Sequence, residues 1–92
     1  MSDKEQVQRI KERISELVER RNNVTLEEIE WVVQRLGGFY PVASRDAKHG
    51  KLFNVGGRRF MVNCHNPGSK QVKPYSVDEF RDAMIDLGWY DS

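Results

Sequence analysis

The 92-residue chain has a single cysteine, Cys64, so no disulfide can close within it. It has no run of about 18 apolar residues, the length a bilayer-spanning helix needs. The opening residues, Met1-Ser2-Asp3-Lys4-Glu5, carry both signs of charge and lack the apolar stretch of a secretory signal. Together these absences point to a cytoplasmic protein. Metal ligands are equally scarce. One cysteine and two histidines, at these spacings, match no closed zinc site, so neither a metal nor another cofactor is expected. No pair of carboxylates is placed for acid–base work. Most acids fall on helix faces, where capping and solvation explain them.

Charge is present but unevenly spread. Met1 to Leu36 holds seven Lys/Arg against eight Asp/Glu. Val42 to Lys73 holds seven against one, Asp46, and Ser76 to Ser92 holds one against five. A formal net charge of +1 therefore hides a basic middle block. Phosphate binding follows local potential, so such a block argues for a polyanion partner despite the near-neutral total. Surfaces built only for solubility mix both signs. RNA is the favoured polyanion, because small domains of this kind read RNA by shape and phosphate. The candidate contacts are Arg45, Lys48, Lys51, Arg58, Arg59, Lys70 and Lys73.

Three segments have helical spacing. Val7, Ile10, Ile14 and Leu17 form one apolar stripe, ended by Asn22-Asn23. Leu26, Ile29, Val33 and Leu36 form a second, with Thr25 and Glu28 at capping-box spacing and Gly37-Gly38 as a stop. Val77, Phe80, Met84 and Leu87 form a third, with Ser76 and Glu79 at the same capping spacing. Between the last two helices the chemistry is that of strands. Phe39 to Ala43 is β-rich, with Pro41 suited to an edge or a strand start. Lys51–Val55 and Arg58–Cys64 alternate around Gly56-Gly57, a two-residue hairpin signal. The expectation is one α+β domain of order α-α-β-β-β-α, a three-stranded antiparallel sheet with helices on one face. The first helix occupies residues 1–23, and the remaining elements occupy 24–92. Its stripe either covers the domain's own core or docks a partner chain; a chain this short needs the area itself.

The Gly56-Gly57 turn sets a register in which Phe53 faces Phe60, Lys51 faces Val62 and His49 faces Cys64. Phe53, Val55, Phe60, Val62 and Cys64 then form the core face, which makes Cys64 a packed thiol. Leu52, Asn54, Arg59, Met61 and Asn63 form the opposite, open face. Trp31, Trp89 and Tyr90 belong at the core or its rim.

Two histidines complete the inventory. His49 lies in the basic run Arg45–Lys51, where the second strand should begin, and is either a proton carrier or a plain surface residue. His65 follows the third strand and is either a second proton carrier or a turn residue.

The stretch Leu26 to Trp89 resembles the HicA toxin family of bacterial toxin–antitoxin systems. The likeness rests on the Glu28–Gly38 helix, on Arg45, His49 and Phe53, and on Arg59-Phe60-Met61-Val62. It continues through His65-Asn66-Pro67 and the Val77–Leu87 helix with Gly88. The resemblance implies a double-stranded-RNA-binding-like fold and metal-independent cleavage of mRNA. It also implies that His49 is catalytic and that an antitoxin protein is a partner. This chain has Ala47-Lys48-His49 where the family has Gly-Ser-His, and His49 precedes Phe53 by four residues instead of three. In a regular strand that spacing puts His49 on the core face, and a β-bulge at Gly50 would turn it outward. The alternatives are a non-catalytic RNA-binding module and a protein-interaction domain on the same fold.

Overall fold

The computed structural model describes residues 3–66 and 68–91. Six elements follow one another: α1 (Asp3–Glu19), α2 (Leu26–Leu36), β1 (Val42–Ala47), β2 (Gly50–Val55), β3 (Arg58–Asn63) and α3 (Pro74–Asp86). The fold is α+β, and the strands make one antiparallel sheet in the order β1-β2-β3. Pro67, named above in the His65-Asn66-Pro67 motif, lies outside the described residues, as do Met1, Ser2 and Ser92.

Helices α2 and α3 lie on one face of the sheet, and α1 packs across those two helices. Ile10, Ile14 and Leu17 of α1 are buried in the same cluster as Val32 and Leu36 of α2 and Phe80 and Met84 of α3. The stripe of α1 is therefore used by its own domain. Burying three such side chains favours docking by about 1.5–3 kcal/mol each. The sheet contributes Phe53, Val55, Phe60, Val62 and Cys64, all buried, as the alternation requires. Phe53 stacks on Phe60 with ring centroids 5.4 Å apart, and Phe60 meets Phe80 at 6.0 Å.

Local chemistry sets the boundaries. Thr25 Oγ1 accepts from the Glu28 N–H at 3.3 Å, and Glu28 Oε1 accepts from the Thr25 N–H at 3.1 Å. This completes the expected capping box of α2. Gly56 and Gly57 have φ of 56° and 90°, the pair of positive values that a type I′ hairpin turn needs. The resulting register pairs Phe53 with Phe60 and Lys51 with Val62.

Two boundaries differ from expectation. The first strand is not Phe39–Ala43; β1 begins after Pro41 and runs on through Arg45 to Ala47. Phe39 and Tyr40 are held instead by the chain's last residues. Phe39 packs edge-on against Trp89 at 5.2 Å, Trp89 Nε1 donates to Tyr40 Oη at 2.8 Å, and Tyr40 Oη donates to the Leu87 carbonyl at 3.3 Å. Ser76 does not cap α3. The helix starts at Pro74, with Lys73 at the N-cap and no side-chain cap. Proline suits the first helical turn, where its missing N–H costs nothing. Ser76 is buried two residues further in, where its Oγ accepts from the Asn63 N–H at 2.9 Å.

Candidate nucleic-acid interface

Pairing and alternation put Arg45 of β1, Leu52 and Asn54 of β2, and Arg59, Met61 and Asn63 of β3 on the sheet face away from the helices. Asp46 is the only acid in the three strands and has the opposite parity. The open face therefore carries two arginines, a central apolar pair and no carboxylate. Arg45 and Arg59 line one shallow groove of about 300 Å³ together with Ala43, Leu52 and Asn54. Neither guanidinium has an ionic partner among the described residues.

The seven candidate cations separate into two groups. Lys51 lies on the helix side, 3.0 Å from Glu30 of α2 and 3.9 Å from Asp46. Arg58 Nε is 2.8 Å from Asp86 of α3, and Lys70 Nζ is 2.5 Å from Glu27 of α2. Acids distant in sequence thus fold against these three. Lys70 is held above the usual lysine pKa, first by its hydrogen bond to Glu27 and then by that carboxylate's charge. Arg45, Lys48, Arg59 and Lys73 remain without an acidic partner among the described residues.

The free cations and both histidines gather around the open face and one end of the sheet. Ala47 pairs with Gly50, so Lys48 and His49 form the two-residue turn between β1 and β2. Gly50 pairs with Asn63, and the Cys64 N–H donates to the His49 carbonyl at 2.6 Å. The Lys73 N–H donates to the Asn63 carbonyl at 2.9 Å, which brings the start of α3 to the same end. The Lys73 ammonium lies 5.8 Å from the centre of the Tyr75 ring.

The register runs through Gly50 without a bulge, so it is not a bulge that turns His49 outward. His49 faces solvent because it is a turn residue, outside the pleat of β2. Gly50 has its own reason to be glycine. A Cβ there would sit 1.8 Å from the Val62 carbonyl oxygen, far inside contact distance.

His65 is exposed on the bend after β3, with its backbone N–H donating to the Gln71 carbonyl at 3.1 Å. Among the described residues, neither imidazole touches the other or a carboxylate. Cys64 is buried, and burial pushes its thiol pKa up. The described residues contain no group of three or more His, Cys, Asp or Glu able to hold a metal ion. None of the helices is long and apolar enough to cross a membrane, again among the described residues.

No family model, curated protein or solved structure matches this chain. The HicA resemblance accordingly rests on the short motifs and on the element order.

Three residues at this end were not candidates from the sequence. Asn63, Tyr75 and Ser76 join β3 to α3 through hydrogen bonds that cross 12 or 13 positions of chain. The one visible signal was an aromatic beside lysine and proline, Lys73-Pro74-Tyr75.

Proposed function

We propose that this domain binds RNA as a HicA-like module of toxin–antitoxin type, and that His49 gives it metal-independent endoribonuclease activity. One observation carries the reading. A sheet face without acids carries Arg45 and Arg59 and has Lys48 and Lys73 at its end, and none of the four has a carboxylate partner among the described residues. Arg45 and Arg59 hold backbone phosphates across the groove, and Lys48 and Lys73 hold them at the end of the sheet. His49, exposed between Lys48 and Gly50, takes the proton of a ribose 2′-OH as that oxygen attacks the adjacent phosphorus. The neighbouring cations stabilise the charge that develops on the phosphate oxygens. His65 returns a proton to the leaving 5′ oxygen.

A second reading is a binding module without catalysis. It is favoured by the absence of any hydrogen-bonded partner orienting the His49 imidazole among the described residues. An antitoxin-type protein is a further partner, for which the exposed edge strand β1 is available.

Labelled RNA incubated with the wild-type protein and with His49→Ala separates these readings. RNA binding that weakens with salt, with cleavage only by the wild type, supports the ribonuclease. Binding without cleavage by either protein leaves the module and removes the enzyme. No binding by the wild type removes both.

A further inference from the structure

We propose that Tyr75 is a stacking platform for one unpaired base of a single-stranded RNA laid across the open sheet face. The proposal rests on the RNA-binding reading of that face and specifies which form of RNA it takes.

Tyr75 is 47% exposed, more than any other large apolar or aromatic side chain among the described residues. Such exposure costs apolar surface that the small core could have used. The ring is nonetheless held in place. Asn63 Nδ2 donates to Tyr75 Oη at 3.0 Å, and Asn63 belongs to the open face. Pro74 restricts the backbone just before it, in the first turn of α3. The Lys73 ammonium stands over the ring, 5.8 Å from its centre, so a base would stack on the ring's other face with this positive charge close by. An aromatic ring anchored at its polar tip, exposed on its body and flanked by a cation suits an unstacked base with a phosphate next to it.

The neighbouring surface favours the same ligand. The rung that ends at Asn63, the residue bonded to Tyr75, runs through Gly50 to Ala47, two small residues. The next rung places half-buried Leu52 and Met61 next to Arg45. Apolar and aromatic groups gain little from a duplex, whose bases are stacked inward and whose outer surface is phosphate and sugar. They gain much from a strand whose bases are free. Charge complementarity comes from Arg45, Arg59, Lys48 and Lys73, with no acid on the open sheet face.

The test compares three ligands of equal length: a single-stranded oligoribonucleotide, its blunt duplex and an abasic single strand. Binding is measured for wild type, Tyr75→Ala and Tyr75→Phe over a range of salt. The wild type is expected to prefer the single strand carrying bases. Tyr75→Ala is expected to lose about 5- to 150-fold on that strand alone, the range for one stacked base, with an unchanged salt slope. Tyr75→Phe keeps the ring and is expected to stay within about 3-fold of wild type. Equal binding of the single strand by wild type and Tyr75→Ala overturns the platform and leaves RNA binding standing. So does an equal loss on all three ligands. A wild type that binds none of the three removes the RNA reading itself, and the platform with it.

Discussion

The backbone N–H of Asn63 donates to the buried hydroxyl of Ser76 at 2.9 Å. Two more bonds tie Asn63 to the start of α3: its carbonyl accepts from the Lys73 N–H at 2.9 Å, and its side chain donates to Tyr75 Oη at 3.0 Å. The last residue of β3 thereby sets where α3 begins, and with it the positions of Lys73 and Tyr75. Ser76→Ala would strand the Asn63 N–H in a partly buried place. A loss of about 1–3 kcal/mol in chemical denaturation is expected. Unchanged stability would show that water reaches this N–H.

Gly50→Ala tests the strand crossing beside His49. The added methyl would lie 1.8 Å from the Val62 carbonyl oxygen, so β2 must move away from β3. Overpacking of this kind costs about 1–3 kcal/mol, and backbone has less room to yield than a side chain. Thermal unfolding should show the loss, and amide exchange at Cys64, whose N–H bonds to the His49 carbonyl, should speed up.

The division of the cations predicts two classes of variant. Arg45→Ala and Arg59→Ala should each weaken RNA binding and lower the slope of log K against log salt by about 1. Lys51→Ala and Lys70→Ala should leave that slope near its wild-type value, since both ammonium groups already face carboxylates. Equal slopes for all four variants would mean that RNA competes successfully with Glu30 and Glu27.

Acid should weaken one link between the chain's two halves. Arg21 Nε and Nη2 donate to the two carboxylate oxygens of Asp78, each at 2.8 Å. Those hydrogen bonds, helped by the Arg21 charge, hold Asp78 below the usual carboxylate pKa against the opposing effect of burial. A depressed folded-state pKa stabilises the fold above the unfolded-state value, and that contribution disappears as pH falls through the folded one. Melting temperature measured from neutral pH into the acid range should therefore fall less for Asp78→Asn than for wild type.

Cys64 should resist alkylation in the folded protein. It is buried, and its raised pKa leaves little thiolate at neutral pH. Iodoacetamide labelling followed by mass spectrometry should show slow modification that accelerates in denaturant. Rapid labelling under native conditions would reveal that the sheet end near Cys64 opens readily.

Patterns of near neighbours were enough to specify much of this protein. Apolar spacing marked all three helices, Thr25 and Glu28 marked the start of one, and Gly56-Gly57 fixed the hairpin register and hence the buried face. These are local signals, because helix periodicity, caps and tight turns depend on residues a few positions apart. Contacts across the chain decided the remainder. Ser76 had the spacing of a cap, yet Asn63, 13 residues earlier in the chain, holds its hydroxyl. Phe39 and Tyr40 had the composition of a strand, yet Trp89 holds them outside the sheet. The basic block looked uniform, yet Glu27, Glu30 and Asp86 neutralise three of its cations from helices distant in sequence. Charge acts through space, so a run of lysines and arginines becomes a surface only where folding brings no acid against it. Among the described residues, that condition leaves Arg45, Arg59, Lys48 and Lys73 of the block.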